Sequence, residues 1–140
     1  MGKDKTGELF GCFMPRRWEI TNNLNSDVVC LQVYGSEFNF HRFDPSGEFD
    51  KWAAVEVDDF SRVPSGMEIL EMSGGLYAVF DHTGGPATAS KTFTYIFGTW
   101  LPHSGYEIDS RPHFEIIGEK YKHSEPDSEE EIWIPIRKNI

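Results

Sequence analysis

Two cysteines, Cys12 and Cys30, with no C-x-x-C pair, give this 140-residue chain neither a disulfide framework nor a thiolate metal cluster. Free, buried thiols are the expected state of both. No apolar run approaches the roughly 20 residues of a membrane span. Met1 to Glu8 is too polar and charged for a secretory leader. A soluble, cytoplasmic protein is therefore expected. The histidines, His41, His82, His103, His113 and His123, show no i, i+4 pair and no carboxylate spacing typical of zinc, so no metal is expected. G-x-S-x-G, P-loop and dinucleotide fingerprints are absent, and nothing calls for a cofactor. Positive charge is scarce: 13 Lys and Arg stand against 23 Asp and Glu, for a net charge of −10. Such a surface repels phosphate backbones, which argues against direct nucleic-acid binding, and Arg16-Arg17 is too short to reverse that.

Aromatic residues are abundant instead: 11 Phe, 5 Tyr and 4 Trp. Most must be core, but so many rings can also line a concave ligand site. The length suits one domain, residues 1–140, with a real core.

Leu9, Phe10, Phe13, Met14 and Trp18 recur at helical spacing, which predicts a helix from Thr6 to about Ile20, kinked at Pro15. Strands are predicted at Val28–Tyr34, Phe49–Val57, Met67–Met72, Gly75–His82, Pro112–Tyr121 and Glu131–Arg137. Pro86 opens a second helix with a stripe of Ala89, Phe93, Ile96, Phe97 and Trp100, and Pro102 is expected to stop it. Loops are expected over Gly35–Glu48 and His123–Ser128.

The acidic-to-apolar switch Glu129-Glu130-Glu131-Ile132-Trp133-Ile134-Pro135-Ile136 is the most informative stretch. Strand side chains alternate faces, so Ile132, Ile134 and Ile136 share one face and Glu131, Trp133 and Pro135 the other. A carboxylate on an aromatic wall is expensive to bury unless it meets a cation, a donor or a ligand. An echo appears in Trp52-Ala53-Ala54-Val55-Glu56-Val57, which again carries one Trp and one Glu of matching parity. Glu56 interrupts an apolar run, so it is exposed, paired or functional. Helix, strand, loop, strand occurs twice along the chain. Two α-β-β halves could bring these faces across a shared cleft.

Six stretches in order resemble the GyrI-like family, the effector-binding domain attached to some AraC-type and MerR-type regulators. They are Phe13-Met14-Pro15-Arg16-Arg17, Lys51 to Val57, Gly75 to Phe80, Thr99-Trp100-Leu101-Pro102, Asp109 to Glu115, and Glu130 to Ile136. The resemblance implies an α+β fold: duplicated β-α-β-β halves (about 6–72 and 73–140), a curved antiparallel sheet, two helices on one side and a central ligand pocket. The first strand of the first half is missing here, and an exposed sheet edge leaves a homodimer open. No helix-turn-helix is present. The implied function is a stand-alone binder of amphipathic, cationic aromatic molecules, as in multidrug recognition. Glu131 and Glu56 would be its carboxylates, and Trp133, Trp52 and Tyr77 its walls. As alternatives, the resemblance implies a hydrolase of cyclopropane-bearing DNA-alkylating compounds, with Glu131 and Glu56 catalytic, or a protein-interaction modulator of gyrase or of a transcription regulator.

Overall fold

The computed structural model describes residues 5–34, 49–84, 86–118 and 127–138. The expected loop over Gly35–Glu48 and most of the acidic loop from His123 lie outside the described residues.

The helix α1 covers Lys5–Phe13 and passes into a 3₁₀ segment, Met14–Glu19, rather than continuing to Ile20. Pro15 explains the change. It has no N–H and its ring crowds an α-helical carbonyl, but it is tolerated in the opening turn of a tighter helix. Strands follow at β1 (Val28–Val33), β2 (Asp50–Ala54) and β3 (Leu76–Thr83). Helix α2, Pro86–Tyr95, runs into a π-helical turn, Ile96–Trp100, and then α3, Leu101–Ser104. Pro102 does not stop the helix as expected. It stands in the first turn of α3, just after a widened turn in which Leu101 N–H donates to the Ile96 carbonyl. The stop falls at Gly105, whose φ of 78° is the left-handed conformation glycine takes freely. Strands β4 (Tyr106–Ile108), β5 (His113–Ile117) and β6 (Glu129–Lys138) complete the chain. Three-residue β4 is too short to show periodicity in sequence.

The predicted strand at Met67–Met72 is not formed. Its apolar side chains cover a cavity beside β2 instead of pairing with a strand.

The sheet is antiparallel throughout, in the order β2-β1-β5-β6-β3, with β4 on β6. Pro135 lies well inside β6, where a missing N–H would ordinarily break a ladder. It falls where β6 changes neighbours, between Trp133, opposite Phe114 of β5, and Ile136, opposite Ile108 of β4. Its carbonyl still accepts from Asp109 N–H at 3.0 Å. Outward from the central β1–β5 pair, β2 flanks one side and β6 the other. β3 then adds to β6, and among the described residues no strand adds to β2.

Alternation in β6 behaves as its sequence predicts. Ile132, Ile134 and Ile136 are buried in a cluster with Ile96 and Ile108, against Phe80, Phe93, Phe97 and Trp100. Each such isoleucine contributes about 1.5–3 kcal/mol by leaving water. This packing places the α2–α3 segment on the isoleucine face, called here the helix face of the sheet. The other is the aromatic face.

Candidate functional site

Register sets out two rows of side chains on opposite faces of one sheet. On the aromatic face Trp52 stands opposite Leu31, Leu31 opposite Phe114, Phe114 opposite Trp133, and Trp133 opposite Val79. Phe114 and Trp133 are stacked, with centroids 5.2 Å apart and planes at 18°. Tyr77 meets both edge-on, at 5.4 and 5.5 Å. The Arg111 guanidinium lies 4.5 Å over the Tyr77 ring and is fixed there by Asp109 and by the carbonyls of Leu76 and Ile136. The Tyr77 hydroxyl is buried and has no hydrogen-bond partner among the described residues.

This face brings together three of the five residues expected from sequence: Glu131, Trp133 and Tyr77. Glu131 is exposed, and it accepts the Trp133 indole N–H at 3.0 Å. Its carboxylate is therefore held at the surface by its own neighbour. Trp52 belongs to the same row, but three strand spacings away, roughly 14 Å. Glu56 does not join them. It lies past the end of β2, exposed, with Asn25 Nδ2 donating to its carboxylate at 3.4 Å. Val55 and Val57 on either side of it line the cavity beside β2, and alternation turns Glu56 away.

That cavity has a volume of about 620 Å³ and lies between α1, β2 and residues 57–70. Trp52, Phe13, Phe60 and Met67 supply rings and soft apolar surface, and Lys51 and Arg16 supply charge.

Lys51 also opens the second row. On the helix face Lys51 (β2), Cys30 (β1), Glu115 (β5), Glu130 (β6) and His82 (β3) run diagonally across five of the six strands. Cys30 is opposite Glu115, and His82 opposite Glu130. Glu115 stands opposite Ile132, which makes Glu130 its diagonal neighbour on the same face. Desolvation pushes the Glu115 carboxyl up to about 8, helped by the nearby Glu130 and opposed by Lys51 and His82. Cys30, buried among them, is pushed up to about 11 by desolvation. Cys12 is exposed, contrary to expectation, along the open cavity between α1 and β2; both thiols are free. His82 is buried and bonds Thr92 Oγ1 at 2.7 Å and Thr88 Oγ1 at 3.4 Å, which ties β3 to α2.

Glu115 was not singled out in the sequence. Its one local signal is that it interrupts the apolar run Phe114, Ile116, Ile117. Its pairing with Glu130 arises from a contact between strands. Among the described residues no group of three or more His, Cys, Asp or Glu could hold a metal ion. None of their helices is long and apolar enough to cross a membrane.

An aromatic-lined cavity of this size is the kind of site that takes up an organic molecule. The family comparison agrees. The model of the integron-associated effector binding protein family matches residues 3–136. The chain belongs to this GyrI-like effector-binding family. It is also 29% identical over 137 residues to the transcriptional regulator BrlR of Pseudomonas aeruginosa, covering 95% of this chain and 47% of the regulator. It thus spans about half the length of that relative.

Proposed function

We propose that the protein binds an amphipathic aromatic cation, with the Glu115–Glu130 pair as its anionic contact and the Trp52-lined cavity next to it as the apolar seat. One observation carries the reading: Glu115 is a half-buried carboxyl with a second carboxyl, Glu130, as its same-face neighbour, in a row whose Lys51 end lines the cavity. Two neighbouring carboxyls on a half-buried face are costly, and an organic cation beside them offsets that cost. An aromatic ring over a positively charged ligand adds about 1–2 kcal/mol. Glu131, exposed and already bonded to Trp133, has less reason to take that role. The test compares tetraphenylphosphonium with neutral triphenylphosphine oxide by calorimetry. Glu115→Gln should weaken the cation at least tenfold and leave the neutral compound within about twofold. Equal losses would remove Glu115 as the anchor.

A second reading draws on the same group. A carboxyl that holds its proton near neutral pH suits a general acid, as a hydrolase of strained electrophiles needs. Turnover of a cyclopropane-bearing aromatic compound, abolished in Glu115→Gln, supports it; stoichiometric binding without product argues against it.

The strand order also supports a reading as duplicated halves whose first strand would lie beside β2. An open edge there would serve a homodimer, which sedimentation velocity can check.

A further inference from the structure

Residues 58–70 wall the cavity beside β2 without forming a helix or a strand. Phe60, Val63 and Ile69 remain exposed along this segment, so it has little core of its own to hold it in place. Hydrogen bonds tie it to the body of the protein at two points. Near its start the Asn22 amide donates to the Asp58 carboxylate at 2.8 Å and to the Asp59 carbonyl at 3.0 Å. Farther on, Pro64 to Met67 makes a tight turn, closed by Met67 N–H on the Pro64 carbonyl at 3.1 Å, with Gly66 at φ 81°. A positive φ at the third position is what a type II turn asks of glycine. The carbonyl in the middle of that turn, Ser65, accepts from Arg16 Nη2 at 2.6 Å.

Arg16 is itself pinned. Glu19, three residues on in the 3₁₀ segment, accepts from Nε at 2.8 Å and from Nη2 at 2.9 Å. A two-pronged pair of this kind fixes the plane of the guanidinium as well as its place. Arg16, Leu9 and Phe13 line the cavity from one side, and Phe60, Met67 and Leu70 from the other. One rigid fork therefore joins two walls of the same cavity. A molecule seated there gains the apolar contact of residues 58–70 in full only when that wall is already held. Ordering a loose wall on binding would subtract from affinity.

We infer that residues 58–70 are a strap over the cavity and that Arg16 is the positioning residue that latches it, so that a seated molecule is retained through Arg16 without touching it. This rests on the reading of the cavity as the apolar seat, and it is independent of the Glu115–Glu130 contact. The latch acts on the wall and not on ligand charge, so it serves a cation and a neutral molecule alike.

Hydrogen exchange of the ligand-free protein tests the latch first. Arg16→Ala should speed exchange over residues 58–70 about fivefold and leave β1 and β5 unchanged. Equal exchange in variant and wild type overturns the latch. Stopped-flow tryptophan fluorescence, with Trp52 in the cavity wall, then follows tetraphenylphosphonium and triphenylphosphine oxide. Arg16→Ala should raise the dissociation rate of both about tenfold and leave association within about twofold. Arg16→Lys, which keeps a donor for the Ser65 carbonyl, should recover part of the loss. Gly66→Ala strains the turn but leaves Arg16 in place, and it should also speed dissociation of both compounds. A wild-type dissociation rate in Gly66→Ala, or an Arg16→Ala effect on one compound alone, means that Arg16 acts on the ligand directly and overturns the latch. Failure of the anionic contact looks different: Glu115→Gln then changes neither compound while the Arg16→Ala effect stands. Binding of neither compound overturns the seat and the strap's role together.

Discussion

The Trp133 indole N–H donates to Glu131 at 3.0 Å, two residues away on the same face of β6. Acid and indole that look in sequence like a ligand's anchor and wall satisfy each other. The bond is solvent-exposed, so Glu131→Gln should cost under about 1 kcal/mol in chemical denaturation. It should also weaken tetraphenylphosphonium far less than Glu115→Gln does. The reverse ranking would move the anchor to the aromatic face.

Stability against pH follows from two desolvated groups with opposite signs, half-buried Glu115 and buried His113. Glu115, pushed up to about 8, keeps in the native state a proton the unfolded chain loses near 4.5. Its contribution is full below about 4.5 and is lost as pH rises through 8. His113, pushed down to about 4 by burial, stays neutral where the unfolded ring takes a proton below 6.5. Its contribution is present above 6.5 and is lost as pH falls through 4. The two slopes oppose each other between pH 4.5 and 6.5, which predicts a plateau there and a decline from 6.5 to 8. Glu115→Gln should remove that decline and exceed the wild type at pH 9 by about 2 kcal/mol. Urea midpoints across pH 4 to 9 give the comparison.

The two thiols should differ sharply toward a disulfide reagent. Cys12 is exposed, whereas Cys30 is buried and its thiol is pushed up to about 11. One equivalent is expected to react within minutes in the native state, and the second only on unfolding. Cys12→Ser should leave no fast phase.

Gly75 packs against Arg111, where an added Cβ would come within 2.6 Å of the guanidinium carbon. That guanidinium is held by Asp109 and two carbonyls, so it cannot give way cheaply. Gly75→Ala should destabilise by about 1–3 kcal/mol. Combined with Arg111→Ala, the two losses should fall short of additive, because the second removes what the first collides with. Thermal melts of the four proteins complete that cycle.

Strong local signals were legible in the sequence. Val28–Val33 is β-branched and bounded by a polar turn, Pro86 marks a helix start, and the Ile132, Ile134, Ile136 alternation declares a core face. What failed depended on neighbours. Met67–Met72 has a strand's composition but lies along a cavity, and Pro102 is accommodated by a π-helical turn that no short-range pattern announces. Six ordered motifs mark the effector-binding family to which the chain belongs. The Glu115–Glu130 neighbourhood was harder to see. Glu115 and Glu130 are fifteen positions apart and meet only because β5 and β6 pair with Phe114 opposite Trp133.

That pairing also limits which sequence changes relatives of this chain can carry. Glu115 and Phe114 are adjacent and point to opposite sides of β5. One side carries Glu115 beside the same-face acid of β6, the other the phenyl ring stacked on the indole. Inserting or deleting a single residue within β5 would exchange the two sides, setting a carboxyl against Trp133 and a phenyl ring against Glu130. Length variation across divergent relatives should therefore gather in the connections between strands. The segment from His113 to Ile117 should keep its length even where its letters change.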